Sequence, residues 1–456
     1  GFGHLRPSSA IFKRVYDAGL VDRVLSAVGG GACVLKLLDR ARGCGVVVST
    51  PEDLDAALRI LLMPRYQPTS TCVVDANSSD MKPLIAEWVG VAENASRQGY
   101  SLEEQSWHWH SDECPFFIAE ALCESKLVEG PDGLHYDGTM RLAFALEENG
   151  NTKLVGTYWK LPDTSAAQNE SDLYQRIVSH THGGVGTVPC AQEDEAAVWT
   201  TLQHALAKVF DLRGKRFTIP VLRERYENEP LLLIVTLAKI AGGLAAHNLD
   251  DAAATLRLAE NLLADENGTL ADIAHSYVLR TKGTLTARRQ SKCPDWVAAE
   301  KFYSESLTLF PSSAAAVYFV GLCNFSRGMY KAAALLFSRS LLYDCDLAAS
   351  YSYLATCCLL LKDSAAAVRV SEAFIWRHCT LAAGYHHLAV SLYAQEVEAE
   401  TCNIEQRVRA REALQRARDL QRGKSWTVED DNMMDALFSD KSLPRVPVRT
   451  WLFRSW

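Results

Sequence analysis

No two cysteines in the 456 residues stand in Cys-x-x-Cys spacing, no His-Glu-x-x-His is present, and neither glycine cluster carries Lys-Ser or Lys-Thr. The spacings that mark a zinc ribbon, a zinc protease or a phosphate loop are therefore missing. Ser9, Ser49 and Ser101 lack the Gly-x-Ser-x-Gly setting of a hydrolase elbow, so no nucleophile emerges and no cofactor is expected. Basic charge is short as well: the net charge is −8, which excludes a whole-molecule positive field and confines any nucleic-acid contact to a local patch. The apolar stretch Leu231 to Ala238 stops at Lys239, well below the roughly 20 residues that cross a bilayer, so no membrane span is expected. The 13 cysteines are odd in number and scattered from Cys33 to Cys402, which fits free thiols in an intracellular reducing compartment, cytoplasmic or mitochondrial. The chain opens at Gly1 without a methionine, which leaves a removed upstream peptide open.

What is present changes character near Pro220. Before it, strand and helix signals alternate between Gly and Pro breaks; after it, Ala and Leu recur at three- and four-residue spacing. In the first part Ser9 to Val28 reads as a helix closed by Gly29-Gly30-Gly31. Thr50 and Pro51 read as the cap and first turn of a second helix, and Thr71 to Val74 as a short β run. A third helix is expected from about Asp80 to Ser96, and a fourth from Pro115 to Lys126. Met140 to Lys160 predicts a hairpin turning at Asn149-Gly150-Asn151. The expected division is a mixed α+β domain over 1–190 with its hairpin at 140–160, a connecting helix and linker over 191–228, helical repeats over 229–424, and an extension over 425–456.

The second part has a period. Val317, Tyr351 and Tyr385 lie 34 residues apart, as do Val320, Leu354 and Leu388, and Gly321, Ala355 and Ala389. A second series follows: Ala299, Tyr303 and Ser306, then Ala333, Phe337 and Ser340 at the same offset, then Ala366, Val370 and Ala373 one residue short. Ala410, Leu414 and Ala417 resume it after an insertion around Val397 to Glu405. Small residues let two antiparallel helices approach, bulky ones fill the space between pairs, and neither helix buries its apolar stripe alone, so stacking is obligatory.

A large residue, a large-small pair, a turn, then Ala, an aromatic and a small residue, with Pro311 closing one unit, resembles the tetratricopeptide repeat. The resemblance implies an all-α, right-handed solenoid of about five helix pairs behind the α+β domain. It places the concave inner face at Tyr318, Leu322 and Phe325 in one unit, Thr356 and Leu359 in the next, and His386, Val390 and Tyr393 in the third. Leu322, Thr356 and Val390 stand where the asparagines of a carboxylate clamp would be, so that clamp is not expected. The implied groove is apolar, and an apolar groove of that extent needs an occupant: a partner helix or extended peptide, or the chain's own Val446 to Trp456.

The first reading is a non-enzymatic scaffold or adaptor subunit of a multi-protein assembly. Two other classes stand beside it. A ribonucleoprotein subunit, of an organellar ribosome or RNA-processing complex, would use the helix face of Arg407, Arg411, Arg418 and Arg422 with the basic, aromatic tail 441–456. A metal-dependent enzyme would use the His-x-His pairs His108/His110 and His180/His182, which on strands would offer two imidazoles to one face. With Asp112 or Cys190 as a further ligand, either pair could begin a metal site.

Overall fold

The computed structural model describes residues 7–38, 40, 44–63, 82–97, 101–123, 125–146, 152–162, 164–167, 186–214, 222–223, 226, 228–288, 295–399 and 403–421. The head begins with β1 (Ser9–Lys13), α1 (Leu20–Val28), β2 (Cys33–Leu37), β3 (Val47–Ser49), α2 (Leu54–Leu62), α3 (Lys82–Ser96), α4 (Leu102–Ser111) and β4 (Phe116–Ala121). The four strands make one antiparallel sheet in the order β1-β4-β2-β3, with Ile11 opposite Ile118 and Leu35 opposite Ala119. Leu20, Val24 and Val28 of α1 and Leu54, Leu58 and Leu61 of α2 form apolar stripes at helical spacing and pack on Leu35, Phe117 and Ala119.

Two sequence expectations fail in this sheet. Ser9–Lys13 is a strand, and only Leu20–Val28 of that segment is helical, ending on the left-handed Gly29 and Gly30. The expected helix from Pro115 is the central strand β4, covered on both sides: Phe117 and Ala119 face the head core while Phe116 joins the core of the helical array. A strand buried on both faces has no polar alternation, so its run of apolar residues imitates a helix. The winged-helix order that the helix reading suggested is therefore absent there. Thr50 lies one turn early: Asp53 is the cap residue of α2, and the Thr50 hydroxyl accepts from its N–H at 3.3 Å. Thr71 to Val74 lies outside the described residues.

Beyond β4 come a two-stranded ribbon, β5 (Leu127–Glu129) with β6 (His135–Asp137), and a three-stranded sheet of β7 (Thr139–Leu146), β8 (Thr152–Leu161) and β9 (Gly186–Pro189). β7 and β8 pair antiparallel from Thr139–Lys160 to Leu146–Thr152, the hairpin that the alternation predicts. Tyr136, Trp159 and Leu161 form a small core of their own. α5 (Gln192–Gly214) lies along β8, with the Trp199 ring 6.4 Å from Phe144.

The remainder of the described chain is helix pairs: α6 (Pro230–Leu244) with α7 (Leu249–Leu263), α8 (Thr269–Arg288) with α9 (Trp296–Leu309), and α10 (Ala314–Ser326) with α11 (Tyr330–Tyr343). Then follow α12 (Ala348–Leu360) with α13 (Ser364–Arg377) and α14 (Ala382–Ala399) with α15 (Ile404–Leu420). Each pair packs within itself and against the next. Asn248, Asp295, Ser313, Asp363 and Asn403 cap five of these helices with their side chains, which fixes where each turn of the array begins.

The small residues act differently from expectation. Gly321 faces not a small partner but the Phe337 ring, whose Cε1 would lie 2.9 Å from any added Cβ, and Gly283 seats the Tyr303 ring in the same way at 2.6 Å. The missing side chain of the first helix is thus the socket for the aromatic of the second.

One head helix belongs to the array core. Ile85, Trp88, Val89, Ala92 and Ala95 of α3 are buried at spacings of three and four, and α3 packs on the second helices α11 and α13. Glu93 and Arg369 close its rim at 3.0 Å.

Candidate functional site

The inner-face residues come together, but not as an open trough. Phe325, Thr356, Leu359, His386, Val390 and Tyr393 are buried, and only Tyr318 and Leu322 are half-buried. The cause is packing between first helices, since α12 touches α14 directly. Aromatic rings close the preceding unit: Tyr318 stands 5.7 Å from Phe337 and 6.0 Å from Tyr353, and Phe325 stands 5.1 Å from Tyr353. These six residues are interior. Residues 446–456, the alternative occupant, lie outside the described chain.

The polar chemistry gathers where the head meets the array. Head residues contact the connections between successive helix pairs, which present equivalent positions along the array. Ser312 Oγ donates to the His110 carbonyl at 2.7 Å, Ser111 Oγ to the Tyr343 carbonyl at 2.6 Å, and Ser313 Oγ to Glu113. Glu113 also takes Arg280 at 2.7 Å, both side chains largely buried. Arg40 pairs with Asp344 and donates to Ser111 Oγ at 2.9 Å. The Cys44 thiol donates to Asp346, which Arg377 holds from its other oxygen at 2.6 Å. Burial pushes the Asp346 carboxyl up, but Arg377 and these hydrogen bonds outweigh it and hold the group below its ordinary range.

Within this junction Cys345, His108 and Asp344 stand in the order of a nucleophile, a base and an orienting acid. Cys345 Sγ is 3.7 Å from His108 Nε2, and His108 Nδ1 is 3.9 Å from Asp344 Oδ1. Geometry alone would suggest thiol catalysis. Burial opposes it on both sides: the thiol is pushed up to about 12 and the imidazole down to about 4, so the proton stays on sulfur. The three groups serve as packing and polar contact. Cys357 and Cys358 are likewise buried, with the Cys358 thiol pushed up to about 12.

His108 and His110 occupy α4, not a strand. Two helical residues two apart point to nearly opposite sides, so His108 meets Cys345 while His110 lines a different space, and the pair cannot share a metal. His180 and His182 lie outside the described residues. Among the described residues no three His, Cys, Asp or Glu side chains gather as metal ligands. No helix of the described chain is long and apolar enough to cross a membrane.

The arginine face is partly committed. Arg407 is bound to the buried Glu396 at 2.7 Å, Arg411 is half-buried, Arg418 is exposed, and Arg422 lies outside the described residues. The neighbouring Arg409 reaches Glu372 at 2.6 Å. Arg407 is therefore a structural ion pair and not a free phosphate contact.

Sequence reasoning missed the largest opening, a cavity of about 880 Å3 between head and array. Tyr16, Leu62, Trp107, Leu270, Ile273 and Phe310 supply much of its wall, with Arg14 and His110 as its ionisable groups besides Tyr16 and Tyr343. Its two halves are separated by some 250 residues of sequence, and no local pattern marks them.

By this architecture the molecule is an α+β head fixed on a tetratricopeptide-like array of helix pairs. No protein-family model matches the chain, and no curated protein matches it. Among solved structures it is similar to residues 41 to the end of MamA from Desulfovibrio magneticus RS-1, with 18% identity over 36% of this chain and 83% of that one, at a TM-score of 0.30. It is similar to the Cut9–Hcn1 hetero-tetramer of the APC/C, with 13% identity over 54% of this chain and 44% of that one, at 0.37. Pseudomonas aeruginosa PilF is a third, with 16% identity over 46% and 89%, at 0.33.

Proposed function

We propose that the protein is a non-catalytic adaptor whose helix-pair array holds partner proteins in a larger assembly. The observation that carries this is a pair of exposed side chains in repeat register. Leu342 ends α11 and Trp376 ends α13, 34 residues apart, with 43% and 53% of their surfaces open. A single exposed apolar residue is ordinary; the same position exposed as leucine and then tryptophan in successive units is a ridge, and tryptophan is the residue most enriched at interface hot spots. The array supports such use because its second helices already take an apolar helix, α3, from the chain itself. The partner seat therefore moves from the inner face, where only Tyr318 and Leu322 remain half-open, to the outer ends of the second helices. The junction adds rigidity, which lowers the ordering cost of binding.

Leu342→Asp together with Trp376→Asp tests the reading. Both side chains are exposed, so helix content and thermal midpoint should stay near those of the parent. Quantitative mass spectrometry of proteins co-purified from native cells should show the principal partners falling about tenfold or more, as loss of two hot-spot residues implies. An unchanged set of partners in that folded variant would sink the proposal.

A further inference from the structure

We infer that the cavity of about 880 Å3 between head and array binds a single-chain amphiphile with a carboxylate head, its tail along Leu62, Leu270, Ile273 and Phe310 and its head at Arg14. The volume lies in the range of roughly 300–1,000 Å3 typical of built small-molecule sites, and the wall has the usual make-up of apolar surface with few polar groups. The sign of the ligand follows from the wall. Its residues include Arg14 but no lysine, aspartate or glutamate.

Arg14 is set up to receive an anion. Its Nη1 donates to the Asp112 and Cys114 carbonyls at 2.7 Å each, and Nη2 donates to the Trp109 carbonyl. These bonds pin the guanidinium without neutralising it, because carbonyls bring dipoles and no net charge. Its Nε–H is buried and meets no acceptor, an uncommon condition for a buried donor. The nearest carboxylate, Asp112, takes the Cys114 N–H at 3.2 Å and belongs to the wall of the neighbouring pocket instead. Burial holds the guanidinium below its ordinary basicity in spite of that carboxylate, so the positive charge is under-compensated.

Carboxylate is favoured over phosphate by donor count. With both terminal nitrogens of Arg14 taken by main-chain carbonyls, one N–H remains as the anchor, enough for a monoanion. A phosphate dianion is normally held by several charged donors. The inference stands apart from the adaptor reading, since neither Leu342 nor Trp376 lines this cavity.

Calorimetric titration of the full chain with decanoate, decan-1-ol and decyltrimethylammonium, each below its aggregation limit, tests it. Decanoate should bind one saturable site at least tenfold more tightly than decanol, and the cation should not saturate. Ile273→Trp, which fills the cavity with an apolar group, should weaken decanoate at least tenfold. In case that variant folds poorly, the parent protein is photolabelled with a diazirine-bearing decanoate, and adducts should fall on wall residues such as Leu62, Leu270 or Phe310. Decanol binding as tightly as decanoate, unchanged affinity in folded Ile273→Trp, adducts confined to other regions, or no saturable binding would each overturn the inference.

Discussion

At the residue scale, the sharpest consequences come from ionisable groups that the fold keeps neutral. His387 is buried in α14, and burial alone drives its imidazole down to about 4. Its unfolded value is near 6.5, so the unfolded chain takes up the proton first as pH falls. The contribution of His387 to stability is therefore complete above about pH 6.5 and is lost as pH falls toward 4, a difference on the order of 3 kcal/mol. Urea unfolding of His387→Gln and the parent at pH 7.0 and 4.5 should show the variant losing about 2–3 kcal/mol less between the two. Equal losses would mean that His387 is already charged in the fold. His108 responds with the same sign for the same reason. Buried thiols and imidazoles of this kind explain why the Cys345–His108–Asp344 arrangement does no chemistry: each group is held in the protonation state that catalysis does not use.

At the element scale, α3 is the test piece, because it is a head helix stabilised by array contacts. Trp88→Ala removes a fully buried indole and should cost about 3–5 kcal/mol, with amide exchange across residues 82–96 rising more than that of α1. Glu93→Ala breaks only the half-exposed pair with Arg369 and should cost less than about 1 kcal/mol. Similar costs for the two would mean that the rim and not the stripe holds α3. What could be read in advance divides along the same line. The array was legible because Gly321, Ala355 and Ala389 repeat at 34 residues and the stacking contacts are local. The β7–β8 hairpin was legible because its strands alternate about a turn. The head sheet was not: β4 sits between β1 and β2 although it lies some 80 to 100 residues after them, and nothing local in Phe116–Ala121 states which neighbours it will have. The open inner groove was misjudged because family positions say which way a side chain points, not how closely α12 and α14 approach.

At the scale of the whole molecule, head and array are joined by charge pairs that span the two: Arg40 with Asp344, and Glu113 with Arg280. No sequence pattern could have matched these partners, which lie 304 and 167 residues apart. Removing one partner of a buried pair leaves the other charge without its counter-ion, at a cost of about 3–5 kcal/mol, far more than the net worth of the pair itself. Because that cost falls on the contact between the two parts and not on either core, it should change how they unfold relative to one another. In the parent, helical signal at 222 nm in the far ultraviolet, which is dominated by the array, and protection of head peptides in hydrogen exchange should be lost in one transition. Glu113→Gln combined with Asp344→Asn leaves Arg280 and Arg40 uncompensated and should split the transition: head peptides such as 9–13 and 116–121 exchange at lower denaturant while most of the helical signal persists. Two separate transitions in the parent, or a single one in the double variant, would show that the junction does not couple head to array. A coupled head would in turn mean that the cavity between them has a fixed shape, the condition for a preorganised binding site.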